Sequence, residues 1–171
     1  MTHDTKLPMV MLEDDEAFCS IIRNLLMLEN KFELIGEYHL LSKFKLDLKQ
    51  KKWANVAIFW IDLQLPDGNG YEIISEIKSK YPLSKCLVCT YHSEELAIFS
   101  AIKNGADGYI LKDNSIDQIN QSLYDMMIDG AAISPFIAKK NHSIISATRP
   151  TNKYYQKGTR NTPVISQRSS I

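Results

Sequence analysis

Five residues of this chain carry side chains that could act together on a cation or a small anion: Glu13, Asp14, Asp62, Thr90 and Lys112. Each stands at the end of a short apolar run. Glu13 and Asp14 follow PMVML (8–12), Asp62 follows VAIFWI (56–61), Thr90 lies in CLVCTY (86–91) and Lys112 follows GYIL (108–111). A carboxylate at the lip of a buried run is costly unless something compensates it. Two carboxylates about 4 Å apart repel by roughly 4 kcal/mol at an effective dielectric of about 20, so three in one crevice need a cation or a raised pKa. Oxygen-only donors with room left for water suit Mg2+. A hydroxyl and an ammonium aimed at a metal-bound carboxylate would make a cradle for a transferred phosphoryl group. Taken singly, each residue has a plainer reading: a solvated acid, a threonine suited to a strand, a surface lysine.

The elements that must bring these residues together are legible as periodicities. PMVML, FELIGEY (32–38), VAIFWI, CLVCTY and GYIL read as strands. Residues 9–12 and 56–61 are apolar throughout, which marks parallel strands covered on both faces. Between them Phe18, Ile21, Ile22, Leu25 and Leu26 recur at helical spacing, as do Ile73, Ile74 and Ile77. So do Leu96, Phe99 and Ile102, then Ile116, Ile119, Leu123 and Met127. Residues 40–52 have the least regular helical pattern. Pro82 follows the third helix, Gly105 can close the fourth, and Ser115 with Gln118 forms a capping box before the fifth.

Five βα units predict an α/β fold: a flavodoxin-like, doubly wound five-stranded parallel sheet in the order 2-1-3-4-5, as a single domain over residues 7–130. The first and third strands then meet at the switch point, where ligands bind beyond the strand ends. Residues 131–142 read as a linker or a short helix from Pro135, and 143–171 as a basic, disordered tail.

The balance of 20 acidic and 20 basic residues conceals an asymmetry, because every acid lies at or before Asp129 while seven of the basic residues follow it. The globular part is therefore net negative and the tail net positive. The three cysteines, Cys19, Cys86 and Cys89, sit in apolar segments, as reduced packing residues of a cytoplasmic protein do. Cys86 and Cys89 form a CxxC, but on a strand they point to opposite faces and could share neither a bridge nor a metal. No apolar run approaches the roughly 20 residues of a membrane span, and residues 1–6 are too short and polar for a signal peptide.

The set Glu13/Asp14, Asp62, Thr90 and Lys112, with DLQLPDGNGYE and NGADGYILK, resembles the receiver domain of two-component response regulators over about residues 7–130. The stretch NSIDQINQSLYDMMIDGAAISPFIAKK is similar to the receiver-to-linker region of NarL/FixJ-type regulators. The resemblance implies that Asp62 accepts a phosphoryl group from a phosphohistidine on a sensor histidine kinase or phosphotransfer protein. It implies direct Mg2+ ligation by Asp14, Asp62 and the Gln64 backbone carbonyl, with Glu13 acting mainly through water. Lys112 would bind the phosphoryl group and Thr90 would move toward it. Tyr109 would follow inward, changing the surface of the fourth helix, fifth strand and fifth helix.

Three departures stand out. Asp113 follows Lys112 where many receivers have proline, Tyr91 is bulkier than the residue often found there, and Gln64 and His92 occupy positions that tune phosphoryl lifetime in the family. The residues after His142 lack the amphipathic helices of a helix-turn-helix domain, so sequence-specific DNA binding is not expected in this chain. Its output is then a protein partner, a homodimer, or a truncated or tail-borne DNA contact. Two other classes compete. An Asp-nucleophile phosphohydrolase would need a second acid where Gln64 stands, and a flavodoxin-like cofactor binder would not place EDDE (13–16) against a phosphate.

Overall fold

A computed structural model of the chain describes residues 5–133. The chain alternates strand and helix: β1 (Leu7–Leu12), α1 (Glu16–Glu29), β2 (Phe32–Tyr38), α2 (Leu41–Lys49) and β3 (Ile58–Ile61). A two-residue hairpin follows, β4 (Gln64–Leu65) and β5 (Gly68–Asn69), and then α3 (Tyr71–Lys80). The second half holds β6 (Lys85–Thr90), α4 (Glu95–Lys103), β7 (Gly108–Leu111), α5 (Ile116–Asp129) and β8 (Ala132–Ile133). The main sheet runs β2-β1-β3-β6-β7-β8 and every pairing in it is parallel. Its first five strands carry the expected order 2-1-3-4-5.

The sheet departs from expectation at its far edge, where Ala132 and Ile133 pair with Gly108 and Tyr109 as a sixth strand inside the segment read as linker or helix. The Ala132 N–H donates to the Asp107 carbonyl at 3.3 Å. This approach requires glycine at 108, because a Cβ there would lie 2.7 Å from the Ala132 carbonyl oxygen and 2.3 Å from Met126 Cε. The expected short helix from Pro135 and the basic tail lie outside the described residues.

Because alternate strand residues face opposite sides, the sheet separates two cores. Val10, Leu12, Phe59, Ile61, Cys86 and Val88 pack with α2, α3 and α4. Met9, Met11, Ile58, Trp60, Leu87, Cys89 and Ile110 pack with α1 and α5. Cys86 and Cys89 thus fall in different layers, and both are free thiols.

Helix starts follow the capping chemistry. The Asp15 side chain accepts from the Ala17 and Phe18 N–H groups, and Ser115 with Gln118 makes the complete capping box of α5. Helix α2 is shorter than 40–52 and has no cap of its own. Instead Asp67, in the turn between β4 and β5, accepts from the Leu41 and Ser42 N–H groups at 2.7 and 2.9 Å. The buried face of α4 also differs from expectation. Ile98 and Ala101 are fully buried while Leu96 is 80% exposed, because the helix is apolar on several faces and the small Ala101 admits closer approach to the sheet. Ile21 and Ile116, counted in apolar stripes, are likewise exposed.

Candidate functional site

Parallel pairing of β1, β3, β6 and β7 delivers their C-terminal ends to one edge of the sheet. The Asp62 N–H donates to the Leu12 carbonyl at 2.8 Å, which carries the β1–β3 ladder past the last strand residue and sets Asp62 beside Glu13. Glu13 is fully buried and Asp62 is 4% exposed, whereas Asp14 is exposed. One carboxylate oxygen from each of the three lies within 4.8 Å of the others.

Lys112 answers two of these charges. Its Nζ donates to Glu13 Oε1 at 2.6 Å and to Asp62 Oδ2 at 2.9 Å, and it is itself buried. Asp62 Oδ1 accepts the Gln64 N–H at 3.2 Å, and Glu13 Oε1 accepts the Asp15 N–H at 3.0 Å. Glu13 Oε2 is buried with no partner in the described structure. Burial pushes the Glu13 carboxyl up from 4.5 to about 7, against the Lys112 hydrogen bond that lowers it and with the Asp62 charge adding to the rise. Burial alone would lower the Lys112 ammonium, but its hydrogen bonds to Glu13 and Asp62 leave it above its ordinary range.

The expected switch residues are adjacent to this center. Thr90 is buried at the end of β6, and its Oγ1 accepts the His92 N–H at 3.5 Å. Tyr109 is fully buried, its ring already inward and its hydroxyl donating to the His92 carbonyl at 2.8 Å. The loop after β6 is therefore tied to both. No peptide bond among the described residues is cis, the Lys112–Asp113 bond included.

Sequence reasoning left out several residues that shape the site. Gly70 opens α3 against the Asp62 backbone: a Cβ there would lie 2.2 Å from the Asp62 carbonyl oxygen. The Gly70 N–H also donates to the Leu63 carbonyl at 2.9 Å. Its place in DGNG (67–70) was the available signal. Phe18, counted only as core, lies with its ring centroid 5.1 Å from Lys112 Nζ. A second donor group, Glu16, Cys19, Glu37 and His39, lies next to the site. There Arg23 bridges Glu16 and Glu37, so that cluster contains its own cation. The His39 Nδ1–H donates to the Glu13 carbonyl at 2.8 Å, bracing the acid from behind.

The donors of the first cluster are all oxygens, one of them buried without a partner, and that composition fits a hard divalent cation. A carboxylate bonded to a lysine is also an arrangement that can receive a phosphoryl group.

Comparison with known proteins identifies the family and the fold. A family model described as "Response regulator receiver domain" matches residues 9–124. The chain is 26% identical over 147 residues to "Transcriptional regulatory protein DegU" of Brevibacillus brevis, covering 86% of this chain and 60% of that protein. It is 26% identical over 134 residues to "DNA-binding transcriptional activator DevR/DosR" of Mycobacterium tuberculosis, covering 75% and 60%. The chain thus spans about 60% of the length of these relatives. Among solved structures, the isolated REC domain of RcsB from Salmonella enterica serovar Typhimurium with the phosphomimetic BeF3- superposes with TM-score 0.69 at 16% identity, covering 79% of this chain and 98% of that one. A LuxR-family two-component response regulator from an Aurantimonas species gives TM-score 0.69 at 19% identity, covering 84% and 98%.

Proposed function

The chain belongs to the response regulator receiver domain family, and from that premise we propose that Asp62 is its phosphoacceptor. The observation that carries the reading is the buried ion triad: one oxygen of Asp62 is held by Lys112, whose other carboxylate partner, Glu13, keeps an oxygen unpartnered. The donor is a phosphohistidine on a sensor histidine kinase or a phosphotransfer protein. An Asp62 oxygen attacks phosphorus, the new O–P bond forms as the N–P bond breaks, and the electron pair leaves on the imidazole nitrogen, which takes up a proton. Lys112 needs only a small shift to donate to a phosphoryl oxygen, because its Nζ is already 2.9 Å from the attacking group.

Glu13, Asp14, Asp62 and the Gln64 backbone carbonyl are the residues that would hold Mg2+, directly or through water. When bound, the ion supplies neutralisation of charge on the transferring oxygens. Thr90 then meets the phosphoryl group, and the His92 backbone, bonded to both Thr90 and Tyr109, passes the change to β7. The surface of α4, β7 and α5 is the output face, read by a partner or a second copy of the chain. We read the chain as a switch rather than an enzyme, its own chemistry being at most self-catalysed phosphorylation and dephosphorylation. Among the described residues no helix is long and apolar enough to cross a membrane, and we place the protein in the cytoplasm. The relatives, a transcriptional regulatory protein and a DNA-binding transcriptional activator, favour transcription as the process controlled.

Acetyl phosphate with Mg2+ should add one phosphoryl group to the wild-type chain and none to Asp62→Asn, read by intact mass. Equal labelling of the two would refute the assignment.

A further inference from the structure

The Lys112 ammonium has neighbours besides its carboxylates. Its Nζ lies 5.1 Å from the centroid of the Phe18 ring and 5.3 Å from that of Tyr91. Both distances fall within the roughly 6 Å over which a cation is attracted to an aromatic face. Phe18 is buried, with its N–H on Asp15 Oδ1 at 3.1 Å and its ring 6.2 Å from that of Trp60, so it belongs to the fixed wall. Tyr91 is placed differently. It is the first residue after β6, it is 64% exposed, and so core packing does not account for a large ring at this point.

An ammonium has three donors. Two of those on Lys112 are taken by Glu13 and Asp62, and with the side chain only 2% exposed the third has little access to water. An aromatic face offers electron density to such a group without acting as a competing acceptor. A carboxylate or amide at position 91 would instead bind the donor that an incoming phosphoryl oxygen needs.

We propose that Tyr91 is a positioning residue: its ring, through the π face and not the hydroxyl, holds the Lys112 ammonium against Asp62 and leaves the third donor free for the arriving phosphoryl group. This rests on reading Asp62 as the phosphoacceptor. It also gives a role to the ring whose bulk departs from the family's pattern.

Tyr91→Phe keeps the face and loses the hydroxyl, whereas Tyr91→Leu keeps an apolar side chain and loses the face. Because position 91 is exposed, neither change threatens the fold. In the full chain without phosphodonor, the Lys112 ε-methylene protons should show a ring-current shift by NMR that survives in Tyr91→Phe and shrinks in Tyr91→Leu. With Mg2+ and saturating acetyl phosphate, from which Asp62 displaces acetate, Tyr91→Phe should react at the wild-type rate. Tyr91→Leu should be slower by about 2- to 5-fold, the range expected of an exposed cation–π contact, with its half-saturating concentration unchanged. Equal methylene shifts in the two variants, or a Tyr91→Leu rate at or above that of Tyr91→Phe, would overturn the proposal. If no variant takes up label at Asp62, the functional reading fails separately, and the methylene shifts still decide whether the ring contacts Lys112.

Discussion

Glu13 shows most clearly what one buried charge does to the whole protein. Its folded pKa of about 7 lies above the ordinary 4.5, so between those values the folded state holds a proton that the unfolded chain has lost. Stability is then greatest below about pH 4.5 as far as this group is concerned and declines as pH rises to about 7, by about 3 kcal/mol in all. Urea denaturation in metal-free buffer across that window should show the decline, and Glu13→Gln should flatten it. That the three acids and the lysine gather at one edge of the sheet was legible in the sequence because each follows an apolar run. The direct Lys112–Glu13 bond was not, since the partners are 99 positions apart and their approach depends on the register of three intervening strand pairings. Nor does the sequence report that Glu13 is completely buried against that ammonium.

At the scale of elements, the sheet order followed from the alternation of apolar runs with helical patterns, and the α5 start followed from its capping box. The structure differs from the sequence reading where the deciding partner is remote. Helix α2 borrows its cap from Asp67, and α4 chooses among apolar faces by its fit to the sheet, which periodicity alone does not report. Gly70 joins an element boundary to the site, since α3 begins where the backbone passes the Asp62 carbonyl. Gly70→Ala should therefore cost about 1–3 kcal/mol through overpacking, read by chemical denaturation. It should also slow labelling of Asp62 by acetyl phosphate, because the loop must move to admit the methyl group.

For the molecule as a whole, the parallel sheet sends all its reactive ends to one side, and the two cores beneath and above it leave the site as the place where buried charges gather. The last described strand has a consequence of its own. Ala132 and Ile133 occupy the outer border of β7, so a chain cut after Gly130 would leave the outward-facing peptide groups of Gly108 and Tyr109 without a neighbour. Unpaired strands recruit strands from other molecules. Light scattering should find that the shortened protein self-associates with time, while one ending after Ile133 stays dispersed. Three residues that look like the beginning of a tether would then be acting as a hem that keeps the fabric from catching on its own kind.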